Sequence, residues 1–179
     1  MNDALINSAI QGDREALEQL LNKFRDHAFS IALKFVKDST AAEDVVQEAF
    51  IKIFLNIHKF RNEAAFSTWL FRIVYVESIR YLRKTKQLRN IYESLEGTDN
   101  YEEETQNENS EFVIEDRVKE AMEVLSEREY VIVSLFYLSE KTIAEIALIT
   151  NQSISNIKVI LYRSRNKMSN HLKKSYEQF

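Results

Sequence analysis

From Arg14 to about Val36, apolar residues return every three or four positions: Leu17, Leu20, Leu21, Phe24, Ala28, Ile31, Ala32 and Phe35. That period marks one face of a helix, and Asp13 stands where an N-cap belongs. Lys37, Asp38 and Ser39 interrupt the pattern. Thr40 and Glu43 then have capping-box spacing, and Val45, Val46, Ala49, Phe50, Ile53, Phe54 and Ile57 predict a second core-facing stripe. The opposite face mixes acids with aliphatic residues: Asp44, Gln47, Glu48, Ile51 and Leu55. Such a face suits docking on a basic surface with an apolar centre, and packing by a third helix accounts for Ile51 and Leu55 equally well.

The last third carries two short helical patterns joined by a polar break. Thr142 to Ile149 reads T-I-A-E-I-A-L-I, with Thr142 and Glu145 as a capping box and Ile143, Ile146, Ala147 and Ile149 inward. Thr150, Asn151, Gln152 and Ser153 form the turn. From Ile154 a longer helix sets Ile157, Ile160, Leu161 and Met168 on its apolar side, with Ile154, Ile157 and Leu161 expected against the preceding helix. Ser155, Asn156, Lys158, Tyr162, Arg163, Arg165 and Lys167 face outward. This is a helix-turn-helix pattern, and the alternative is a helical hairpin with a solvated basic face.

Between these regions, His58 to Ile73 supplies Phe60, Phe66, Trp69 and Phe71, with Tyr75 beyond, beside a helix bearing Arg72, Arg80, Arg83, Lys84, Lys86 and Arg89. Rings next to a basic stripe suit single-stranded nucleic acid, where bases stack and cations follow phosphates. Some of these rings must serve the core of so small a unit.

Composition narrows the class. The 179 residues contain no proline, two glycines and no cysteine, which argues for an all-α protein without disulfides or thiolate metal sites. The N-terminus lacks the basic region and apolar core of a signal peptide, and no apolar run approaches a membrane span, so a cytoplasmic protein is expected. The net charge of −4 divides unevenly. Residues 1–92 carry +3, residues 93–116 carry −10, and residues 117–179 carry +3. Two mildly basic helical domains, 1–92 and 112–179, are therefore expected around an acidic linker at 93–111. That linker either keeps itself extended by self-repulsion, or travels through a basic channel or shields the basic domains from non-specific DNA.

Three stretches, in this order, resemble a bacterial RNA polymerase sigma factor of the extracytoplasmic-function group. They are A-A-E-D-V-V-Q-E-A-F (41–50), F-S-T-W-L-F-R-I (66–73) with Y-L-R-K (81–84), and L-S-E-R-E…A-E-I-A…S-I-S-N-I-K-V-I-L-Y-R-S-R (125–165). The resemblance implies a first domain that grips the clamp coiled coil of core RNA polymerase and opens the −10 element. It implies a second that docks on the polymerase flap and reads the −35 element. By position, Asp44, Gln47, Glu48, Ile51 and Leu55 would meet the polymerase. Phe60, Arg61, Phe66, Ser67, Trp69, Arg72, Arg80, Arg83 and Lys84 would meet the −10 strand. Ser153, Ser155, Asn156, Lys158, Tyr162, Arg163 and Arg165 would face the −35 groove. An anti-sigma factor, often membrane-anchored in this family, is a further implied partner. Val76 and Arg80 stand where the family commonly has Asn and Asp, and Val159 and Ile160 where Ser and Arg are common. Asn151 replaces the usual turn glycine and tolerates positive φ.

Two other functions are compatible with parts of the sequence. A stand-alone DNA-binding regulator would share the helix-turn-helix but leaves Asp44, Gln47 and Glu48 without a purpose. An enzyme such as a nuclease finds little support: His27, His58 and His171 are scattered, and there is no phosphate loop or nucleophile elbow. No cofactor or metal is expected.

Overall fold

Short polar side chains set where the long helices begin. The Asp13 carboxylate accepts the amides of Glu15 and Ala16 and starts α2, Arg14–Val36. Lys37 closes that helix in the left-handed conformation, its amide donating to Leu33. One residue later the Asp38 carboxylate accepts the Ala41 amide at 2.7 Å and starts α3, Ser39–Asn56. The box expected at Thr40 and Glu43 is therefore displaced: Asp38 is the cap, and Thr40 and Glu43 lie on the exposed side of the first turn. Ahead of α2, α1 spans Asn2–Ile10, and Gly12 makes the turn at φ +99°, a conformation that L side chains rarely adopt. A 3₁₀ turn at Ile57–Lys59 leads to α4, Phe66–Glu96.

The computed structural model describes the backbone of residues 2–96 and 116–176, with side chains over 4–87 and, apart from 119, 118–173. Every regular element among the described residues is helical. The chain divides into two compact units, Met1–Ser110 and Glu111–Phe179. Helix α4 continues to Glu96, four residues into the stretch expected to be linker. The rest of that acidic stretch, from 97 onward, lies outside the described residues.

In the amino-terminal unit α2, α3 and α4 pack on one another, and α1 lies against α2 and the 3₁₀ turn. The core joins Leu17, Leu20, Ala28 and Ile31 of α2, Val45, Val46, Ala49 and Ile53 of α3, and Leu70, Phe71 and Val74 of α4. Phe54 departs from its expected stripe and is exposed, with the Arg14 guanidinium 5.7 Å from its ring centroid. A cation over that ring face covers it where the core does not.

The carboxy-terminal unit comprises α5 (Asp116–Glu123), α6 (Glu127–Tyr137), α7 (Ile143–Thr150) and α8 (Ile154–Tyr176). Helices α5, α6 and α7 all pack on α8. Two capping boxes organise it, Ser126 with Glu129 on α6 and Thr142 with Glu145 on α7. Isolated helices of 8 to 11 residues are marginal in water, so these caps and the seam along α8 hold them.

Candidate nucleic-acid and partner interfaces

The outer face of α3 follows directly from its register. Asp44, Glu48, Ile51 and Leu55 succeed one another at spacings of four, three and four, with Gln47 beside them, and all five are exposed. Leu55 is 60% exposed, so no helix among the described residues covers this stripe. Phe54 widens its apolar end. Glu48 also begins a chain of charges. Its carboxylate lies 3.3 Å from Lys52 Nζ, which donates to the largely buried Glu77 of α4, and Arg80 approaches the same Glu77 oxygen at 3.7 Å. Periodicity within either helix could not reveal Lys52–Glu77, a pair formed only by packing α3 on α4.

The aromatic stretch divides between core and surface. Phe66 is 3% exposed and Phe60 is buried with it, which corrects their expected place on the nucleic-acid surface. Their rings meet edge to face at 5.8 Å, and Trp69 lies 5.3 Å from Phe60 and 5.9 Å from Phe66. Phe24 of α2 closes the cluster against Phe66 at 6.2 Å. Phe71 and Tyr75 are likewise core residues. Burying these rings anchors the 61–65 loop, because Phe60 precedes it and Phe66 follows it. Trp69 and Ser67 remain half-buried, and Arg61 is exposed beside Glu63 at 3.9 Å. Along α4, Trp69, Arg72, Val76, Arg80 and Arg83 share one outer face at spacings of three and four, with Lys84 adjoining. That face is basic and carries one exposed aliphatic residue, Val76.

In the carboxy-terminal unit Asn151 closes α7 at φ 54°, the left-handed conformation that its residue type tolerates. Thr150 belongs to α7 and is buried, its hydroxyl donating to Ile146 O, so the turn is shorter than the spacing suggested. Ser153 Oγ accepts the Asn156 amide at 3.2 Å and caps the start of α8. Ser155, Asn156, Lys158, Tyr162, Arg163 and Arg165 all point to solvent, as does the cap Ser153. Ile157, Leu161 and Ser164 form the buried side. Ile154 is 49% exposed rather than buried as expected, whereas Ile157 and Leu161 are buried on the packed side of α8. Lys167 is withdrawn from the outward cations, since its ammonium donates to both Glu129 oxygens, at 2.8 and 2.9 Å. Burial alone would push the Glu129 carboxyl up. Lys167 and the Ser126 amide and hydroxyl outweigh it and hold the group below the ordinary glutamate value. The S-x-x-E spacing of Ser126 and Glu129 was the available sign of this cap.

Among the described residues no group of three or more His, Asp or Glu side chains could hold a metal ion. No described helix is long and apolar enough to cross a membrane.

Comparison with known proteins fits this geometry. Sigma-70 region 2 matches residues 20–87 and Sigma-70, region 4, matches residues 115–168, together more than half of the chain. The ECF RNA polymerase sigma factor SigW of Bacillus subtilis is 25% identical over 177 residues, covering 94% of this chain and 95% of that protein. The RNA polymerase sigma-H factor of Pseudomonas aeruginosa is 39% identical over 69 residues, 38% of this chain and 36% of that protein. Among solved structures, CnrH in complex with the cytosolic domain of CnrY superposes with a TM-score of 0.65 at 20% identity, covering 96% of each chain. RpoE from Bartonella quintana, in complex with the anti-sigma factor NepR, gives 0.63 at 23% identity, over 87% of this chain and 96% of that one.

Two helical units, the second a helix-turn-helix, are thus the architecture of a transcription-initiation factor. The chain belongs to the sigma-70 family, as a sigma factor of the extracytoplasmic-function group. It directs RNA polymerase to promoters and initiates transcription.

Proposed function

We propose that α3 is the principal contact with core RNA polymerase, through Asp44, Gln47, Glu48, Ile51 and Leu55. The observation that carries this is the uncovered acidic-apolar stripe opposite the buried stripe of Val45, Val46, Ala49 and Ile53 on the same helix. A solvated face gains nothing from two exposed aliphatic residues, whereas a docked face buries them and pairs its carboxylates. The clamp coiled coil is the expected counterpart, with the flap receiving the carboxy-terminal unit.

The outer face of α4 is assigned to the −10 element. Arg72, Arg80, Arg83 and Lys84 follow the phosphates, and Trp69 with the 61–65 loop receives unstacked bases. Phe60 and Phe66 act from beneath, by fixing the loop. Ser155, Asn156 and Lys158 of α8 face the bases of the −35 element, and Arg163 and Arg165 face its backbone. In this reading the domains are 1–92 and 112–179, and the chain works in the cytoplasm without chemistry of its own. CnrH and RpoE were each solved with a protein partner, which supports an inhibitory partner of the anti-sigma kind here.

The deciding experiment is core-polymerase affinity of the variant carrying Asp44→Lys and Leu55→Ala. Both positions are exposed, so helicity should be retained. We expect binding weaker by about 2 kcal/mol or more, roughly thirtyfold, since reversal at a docked charge adds repulsion to the lost contact. Undiminished affinity would place the polymerase contact elsewhere.

A further inference from the structure

Helix α8 exposes, in the middle of its outward face, a side chain that can neither donate nor accept a hydrogen bond. Ser155, Val159 and Tyr162 follow one another at spacings of four and three, with Lys158 and Arg163 adjacent in sequence. Val159 is 44% exposed, while Ile157, Leu161 and Ser164 are buried on the opposite side. It therefore contributes little to the core. Nor does it favour the helix, because a β-branched residue at a solvated helical position is a poorer helix former than Lys, Gln or Ala. The surrounding outward positions are polar, so an aliphatic residue here calls for an apolar counterpart.

The major groove offers only one such group. Base edges there present N7, O6 and O4 acceptors and N4 and N6 amino donors, and a valine over any of these would strip its water without replacing the hydrogen bond. The exception is the C5-methyl of thymine. We propose that Val159 packs on a thymine methyl in the upstream promoter element, so that one A·T pair is read there by apolar contact; this rests on the assignment of α8 to promoter DNA. Tyr162, one turn along the same face, is placed to shield that contact from water. The hydroxyl of Ser155 and the ammonium of Lys158 are left to read the polar edges of neighbouring pairs.

The test uses the full chain assembled with core RNA polymerase. Selection from a library of duplexes randomised through the promoter region should enrich an upstream element with one strongly preferred T·A position. Replacing thymines singly by deoxyuridine removes only the methyl. At that position we expect affinity to fall about three- to fourfold, the worth of one buried methyl-sized group. A G·C pair there should cost roughly five- to a hundred-and-sixtyfold. Val159→Ala, which loses both γ-methyls, should bind the thymine and deoxyuridine duplexes nearly alike, whereas Val159→Thr, which keeps one γ-methyl, should still distinguish them. If every deoxyuridine duplex binds like its thymine parent while Arg163→Ala still weakens binding, α8 is on DNA and Val159 reads nothing. If Arg163→Ala and Lys158→Ala also leave affinity unchanged, the assignment of α8 fails and takes the thymine contact with it.

Discussion

In the amino-terminal unit, helices of 23, 18 and 31 residues bury long stripes against one another, whereas the carboxy-terminal unit sets helices of 8, 11 and 8 residues against one of 23. The first unit closes around rings, with Phe71 in contact with Phe24 at 5.8 Å and with His27 at 4.8 Å. The second is closed by aliphatic residues such as Ile132, Leu135, Ile146, Ile149 and Ile157, and by caps. Long helices repay nucleation through many buried turns, while an eight-residue helix has barely two turns in which to do so. Packing should therefore dominate stability in the first unit, and end-capping should carry a larger share in the second.

The largest expected effect is at the aromatic centre. Phe71→Ala should destabilise the amino-terminal unit by about 3–5 kcal/mol, the range for emptying a buried ring site. Urea denaturation followed by circular dichroism should show that unit melting early while the other retains its transition. A loss under about 1 kcal/mol would mean that the cluster collapses to fill the space.

Next is the pair between α3 and α4. Lys52→Met leaves the Glu77 carboxylate without its ammonium and should cost about 2 kcal/mol, less than the roughly 3–5 kcal/mol of full burial. The reduction reflects Lys52, whose side chain is 27% exposed, and Arg80, which stays 3.7 Å from the same Glu77 oxygen. The double variant Lys52→Met with Glu77→Leu should recover most of the loss. Lack of recovery would show that the pair itself, rather than the stranded charge, stabilises the contact.

Caps test the other side of the comparison. Thr142→Ala and Ser126→Ala should each cost about 1 kcal/mol. Asp13→Ala should cost a similar amount but express itself differently. Hydrogen exchange should quicken only in the first turn of α2 for Asp13→Ala, and across α7 and its seam with α8 for Thr142→Ala. Equal, local fraying in both units would mean that caps carry the same share of stability in each.

The smallest effect is pH-dependent. Because the Glu129 carboxyl is held low in the folded unit, its stabilising contribution is present above the ordinary glutamate value and is lost as pH falls through the lowered one. The contribution should be roughly 0.5 kcal/mol, given that the Lys167 partner is substantially solvated. Lys167→Met should flatten this part of the acid profile of the carboxy-terminal unit. An unchanged profile would assign the acid sensitivity to another group.

Helix identity and the outward faces were legible in the chain because they depend on neighbours three and four residues away. Asp13 as a cap, the bounds of α2, the Thr142–Glu145 box, positive φ at Asn151 and the outward polar residues of α8 all follow from local rules, whereas the exposure of Ile51 and Leu55 on α3 does not. Local rules fail where two local signals compete or where a partner is distant. Asp38 took the capping role from Thr40 because its carboxylate reaches the free Ala41 amide. Phe54 and Ile154 sat at apolar spacings yet lie beyond the packed edge of their helices.

Sequence by itself thus determined the helical class, the helix-turn-helix and the candidate surfaces, since helical period, capping chemistry and charge are properties of short segments. Only the tertiary structure decided which rings are core and which cations are engaged. Phe66 packs against Phe24, a residue 42 positions earlier in the chain, and Phe60 packs in turn on Phe66 across the 61–65 loop. Lys52 is claimed by Glu77, and Lys167 by Glu129, through the packing of separate helices. Burial and ion pairing depend on what lies opposite in space, and no local period encodes that.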